Sequence, residues 1–74
     1  MFNFYKGEVR GSVSNVPIHW FIMAKTSLEA ENKLFEYWDK RLSRKHGELT
    51  FISITTISPS EYYGIKRASN THFI

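Results

Sequence analysis

The chain has 74 residues, of which 42% are hydrophobic, 16% aromatic and 23% charged, so it is expected to form one small domain and lies far from the composition of disordered chains. It has no cysteine, which excludes disulfides, Cys-ligated zinc, iron–sulfur clusters and thiol catalysis. Ten Lys and Arg against seven Asp and Glu give a net charge of +3, which excludes an acidic mimic of DNA but is too mild to define a nucleic-acid binder.

The N-terminus reaches Lys6, Glu8 and Arg10 before an apolar run of signal-peptide length can form, and no stretch approaches the roughly 18 apolar residues of a membrane span. A cytoplasmic location without a membrane partner is expected. Phe2 to Arg10 alternates aromatic and Val residues with Lys6, Glu8 and Arg10, the pattern of a strand with Tyr5 and Val9 facing inward. Turn chemistry follows at Gly11 to Asn15, and Val16 to Ala24 reads as a second strand, placed at a sheet edge by Pro17.

Thr26 and Glu29 fit a capping box, so a helix is predicted over Ser27 to His46, ending at Gly47 as a left-handed cap. At 100° per residue Leu28, Ala30, Leu34, Phe35, Trp38 and Leu42 share one apolar arc, into which only Glu31 intrudes, while Glu29, Lys33, Glu36 and Lys40 lie opposite. Glu48 to Ser58, rich in Ile and Thr, reads as a third strand. Ser58 and Glu61 repeat the capping pattern, predicting a short helical turn over Pro59 to Tyr63 that Gly64 stops. A hairpin followed by a helix that returns to a third strand gives an α+β fold: a three-stranded antiparallel sheet of order 2-1-3, with one long helix on one face. Residues 1–58 form the core of this single domain, and 59–74 a C-terminal turn and tail.

Catalysis has little to stand on in such a chain. General acid–base chemistry needs titratable groups converging in a pocket, whereas Asp39 falls on the wet helix side and the Glu residues sit in helix pairs or near element ends. His19, His46 and His72 are too far apart in sequence for a helical or loop metal site, and no phosphate-loop or nucleophile-elbow pattern occurs. A non-enzyme without metal or cofactor is expected. Lys40, Arg41, Arg44 and Lys45 crowd the helix end, with Lys66 and Arg67 as a second group. They suit phosphates or an acidic partner, and equally complement the helix macrodipole.

The second strand is apolar on both faces, with Val16, Ile18, Trp20, Ile22 and Ala24 on one and His19, Phe21 and Met23 on the other. One helix covers one face, so the face of His19, Phe21 and Met23 must meet the C-terminal tail, a second copy of the chain or a protein partner.

The order of hairpin, helix opening on Ala24-Lys-Thr-Ser-Leu-Glu-Ala-Glu31, then Ile/Thr strand, over about residues 4 to 58, resembles the very small proteins of phages and mobile elements. Some of these are anti-CRISPR-like inhibitors. The likeness is one of size and architecture and carries no functional residue across. It implies, as the most concrete form of a non-catalytic protein-binding module, a phage-type inhibitor that sterically blocks a host defence complex, with a nucleic-acid-binding host complex as one candidate target. A small nucleic-acid-binding domain and a homo-oligomeric structural or regulatory subunit are the alternatives.

Overall fold

The computed structural model describes residues 1–13, 15–68 and 72–74. Its middle strand is β1 (Asn3–Gly11), flanked by β2 (Ile18–Ala24) and β3 (Leu49–Ile57) in an antiparallel sheet of order β2-β1-β3. Gly7 stands opposite Trp20 on one side and Ile54 on the other. The expected α+β class and strand order are both present. The expected turn over Gly11 to Asn15 includes Ser14, which lies outside the described residues.

A run of helix crosses one face of this sheet. It comprises α1 (Ser27–Tyr37), a π-helical turn over Trp38–Leu42 and α2 (Ser43–His46). Half of the expected capping box is present: Thr26 Oγ1 accepts from the Glu29 N–H at 3.1 Å, while the Glu29 carboxylate, instead of reaching back to the Thr26 N–H, lies 4.0 Å from Lys33 Nζ. The bounds match the expectation, but the wide turn does not: Ser43 N–H donates to the carbonyl of Trp38, five residues back. Gly47 ends the run with φ 79° and ψ −150°, so it has the positive φ that favours glycine without the left-handed helical ψ of the expected cap.

Helix and sheet meet over Tyr5 and Val9 of β1, Trp20, Ile22 and Ala24 of β2, and Ala30, Leu34 and Trp38 of the helix, all buried. Two glycines of β1 set the approach. A Cβ at Gly7 would stand 2.6 Å from Leu34 Cδ2, and one at Gly11 would run into the His46 carbonyl and lie 2.9 Å from the Trp38 ring. The Trp38 indole N–H donates to the Gly47 carbonyl at 3.1 Å, which fixes the far end of the helix on the sheet.

The expected apolar arc was too wide. Leu28 is 66% exposed and Phe35 45%, while the buried stripe narrows to Ala30, Leu34 and Trp38. The helix sits over β1 and β2 and buries only the side chains aimed at them, and Phe35, beside Leu49, and Leu28, two turns earlier on the same side of the helix, fall outside that contact. Val16 is likewise exposed, because β2 begins after Pro17 and the residues before it leave the ladder.

The C-terminal prediction also needs correcting. Ser58 Oγ accepts from the Glu61 N–H at 3.1 Å as expected, but the helix does not stop at Gly64: α3 runs Pro59–Ala68. Glycine lacks a cap geometry here and is carried through the helix at a cost of about 1 kcal/mol relative to alanine. Nothing lies within 4 Å of a Cβ built on Gly64. Gly64→Ala is therefore expected to stabilise the chain by about 0.5–1 kcal/mol, raising the melting temperature by a few degrees. Gly11→Ala should instead lose about 1–3 kcal/mol through overpacking. Thermal melts of the two variants followed by circular dichroism check the opposite signs.

Candidate functional site

The sheet face opposite the long helix carries Phe4, Lys6, Glu8 and Arg10 of β1, with His19, Phe21 and Met23 of β2 and Phe51, Ser53, Thr55 and Ile57 of β3 beside them. α3 and residues 72–74 cover one end of it. Tyr62 is only 3% exposed and stacks on Phe4 with ring centroids 4.6 Å apart, and Tyr63 meets Phe4 edge-on at 5.4 Å. Burial, with the neighbouring Tyr63 adding to it, pushes the Tyr62 phenol above its ordinary value. Phe73 lies 5.3 Å from Phe21 and 5.2 Å from Tyr62.

The same segment closes one edge of the sheet. The Phe21 N–H donates to the His72 carbonyl at 2.8 Å and the Ile74 N–H donates to the Phe21 carbonyl at 3.0 Å, a short parallel bridge along the outside of β2. His72 and Ile74 thereby fall on the helix side, where His72 approaches Trp20 at 4.9 Å and Ile74 joins the core. Of the three residues proposed from sequence as a contact face, Phe21 is thus packed internally, and Met23 is half-buried on the covered end. Only His19 belongs to the uncovered half.

That uncovered half is polar at its centre. Glu8 receives the His19 Nε2 on one oxygen and the Arg10 Nη2 on the other, each at 3.2 Å, and Arg10 lies over the Phe51 ring at 5.2 Å. The hydrogen bond from His19, then the hydrogen bond and charge of Arg10, hold the Glu8 carboxyl below its ordinary value against a partial offset from burial. A carboxylate so stabilised is a poor base at neutral pH. Among the described residues no three His, Asp or Glu side chains converge as a metal site would need.

The third surface is the side wall along β3, which has no strand on its outer side among the described residues. Phe35 borders Leu49 of this strand, the exposed Leu28 lies two turns earlier on the same side of the helix, and Phe51, 44% exposed, lies on the opposite face of the sheet. At the Leu49 end of the wall the π-helical turn opens a groove of about 590 Å³, with Phe35, Trp38 and Leu49 as its apolar lining and Glu36, Asp39 and Glu48 as its acids. Sequence reasoning missed this wall. Its signal is nonetheless present, since Leu49 to Ile57 contains no charge and no proline.

The basic residues are all exposed: Lys40, Arg41, Arg44 and Lys45 along the end of the helical run, Lys66 and Arg67 on α3. Lys66 leans over the Tyr62 and Phe73 rings at 5.8 and 5.6 Å. The two groups are on elements packed against opposite faces of the sheet and do not join into one patch.

No family model, curated protein or solved structure matches the chain. Among the described residues no helix is long and apolar enough to cross a membrane.

Because the Glu8 pKa is lower in the folded chain than its ordinary 4.5, the cluster's contribution to stability is present above that value and is lost as pH falls through the lowered one. In a carboxyl-carbon NMR titration Glu8 is expected to give a midpoint below 4.5 that moves up in His19→Ala, and less so in Arg10→Ala. A midpoint unchanged by His19→Ala would remove His19 as the chief cause.

Proposed function

We propose that the chain is a non-catalytic protein-binding module that docks through its β3 wall. The observation carrying this reading is the outer edge of Leu49–Ile57, nine residues without a charge or a proline, flanked by the exposed Leu28, Phe35 and Phe51. A free edge is a row of unpaired backbone donors and acceptors, and proteins ordinarily blunt such rows with charges, prolines, bulges or a covering segment. Here a register irregularity at Gly11 disturbs only the Leu49 end, and the rest of the ladder is regular. A partner strand would gain main-chain hydrogen bonds from the edge and side-chain contacts from the apolar residues on either side.

The wall is where such a module would meet a protein surface, whether of a second copy or of the host complex implied by the likeness to small phage proteins. It differs from the contact face first suggested by β2, because Phe21 already has Phe73 against it. The nucleic-acid alternative fits less well, since a phosphate backbone tracks a continuous positive groove and the two basic groups here lie on opposite sides of the sheet.

A photo-reactive benzoylphenylalanine placed at Phe51, and in a control at the exposed Lys40, which lies with Tyr37 and Ile74 on the β2 side of the helix, tests the docking surface. Irradiation in cells expressing the chain is expected to give a discrete higher-mass adduct from position 51 and none from position 40. No adduct at 51, or equal adducts at both positions, would overturn the reading.

A further inference from the structure

We infer that the partner for which the β3 wall is built is a second copy of this chain, paired antiparallel through β3 across a two-fold axis to make one six-stranded sheet; this rests on the docking surface proposed above. An antiparallel two-fold seam sets each residue of the strand against the residue equally far beyond the axis on the other copy, so a strand without charge can pair with itself without needing a complementary pattern. Leu49–Ile57 contains none. Its Thr and Ser residues pair favourably across an antiparallel seam and its Ile residues continue the apolar layer.

The ends of the wall also complement one another. β1 pairs Asn3 with Ala24 and Phe4 with Ile57, so the helix that follows Ala24 begins at the end where β3 finishes. Antiparallel pairing places this end of one copy beside the Leu49 end of the other. Leu28, exposed in the first turn of α1, then faces the groove lined by Phe35, Trp38 and Leu49 of the second copy. Glu36, Asp39 and Glu48 of the two copies stand at opposite ends of the seam and do not repel each other.

Nine residues at about 3.3 Å each make a seam about 30 Å long. The exposed Leu28, Phe35 and Phe51 add apolar area beside it, which makes a small interface whose association depends on concentration. The other edge offers no such seam, because residues 72–74 occupy it at Phe21.

Sedimentation equilibrium of the full chain from low micromolar to near-millimolar concentration tests the inference. The mass is expected to rise from 8.7 kDa toward twice that value. The double variants Ser53→Lys with Thr55→Lys, and Ser53→Glu with Thr55→Glu, should each weaken self-association by about tenfold or more, and mixing them should restore it. If circular dichroism shows that either double variant does not fold, Leu28→Glu, on an exposed helix position, is expected to weaken association in its place. A mass fixed at 8.7 kDa throughout, or a dimer indifferent to these substitutions, overturns the inference. A chain that stays monomeric yet crosslinks from Phe51 to a different protein overturns the dimer alone, whereas a monomer with no crosslink removes the docking surface as well.

Discussion

The long helix can rest on this sheet only because β1 presents no side chain at two of the points beneath it. Gly7 admits Leu34, and Gly11 admits the Trp38 ring and the His46 backbone. Close packing leaves no slack to accommodate even one added methyl group where backbone stands opposite. The middle strand is therefore both the pairing partner of the other two and, with β2, the bed of the helix. Much else follows from that seat: the helix covers the centre of the sheet, its flanking residues overhang the edges, and the groove beside the π-helical turn opens where the helix passes beyond Leu49.

How much of this was legible varies from element to element, for physical reasons. Strand order and helix bounds follow from signals in the sequence, namely alternation in β1, the Thr26 cap and the glycine at position 47, and order and bounds survive in the structure although Gly47 lacks the left-handed ψ. Residue burial along the helix was read less well. Periodicity reports which residues are apolar on one side but not how wide a floor lies beneath, and a helix seated over β1 and β2 leaves Leu28 and Phe35 outside. The full length of α3 was hidden because Gly64 is a breaker by propensity, while the packing of Tyr62 on Phe4 supplies tertiary stabilisation that propensity omits. Of the sites, the basic residues and His19 were visible as residues, but their separation on different faces and the Glu8 cluster required the pairing register. The wall along β3 could have been inferred from the predicted order 2-1-3 and the absence of charge after Glu48.

The chain treats its two edges and two faces unequally. One face is buried by the long helix, half of the other by α3 and Phe73, and the edge of β2 is paired by residues 72–74. A domain of this size buries only about 60% of the surface its unfolded chain exposes, so leaving an uncharged edge and three large apolar side chains in water weakens an already small margin of stability. Retaining them is intelligible if association recovers what the monomer leaves exposed.

The two tryptophans give the molecule a pair of separate optical reporters. Both indoles are buried, but Trp20 lies beneath His72 and Tyr37, whereas Trp38 is tied by its N–H to Gly47 and lies 5.9 Å from His46. Emission from an indole shifts with the polarity around it and is quenched by a protonated imidazole nearby. Lifting of the last residues from β2 would register at Trp20 alone, and loosening of the helix end from Gly11 at Trp38 alone. Single-tryptophan forms of the chain would therefore resolve in time which end of the structure comes undone first.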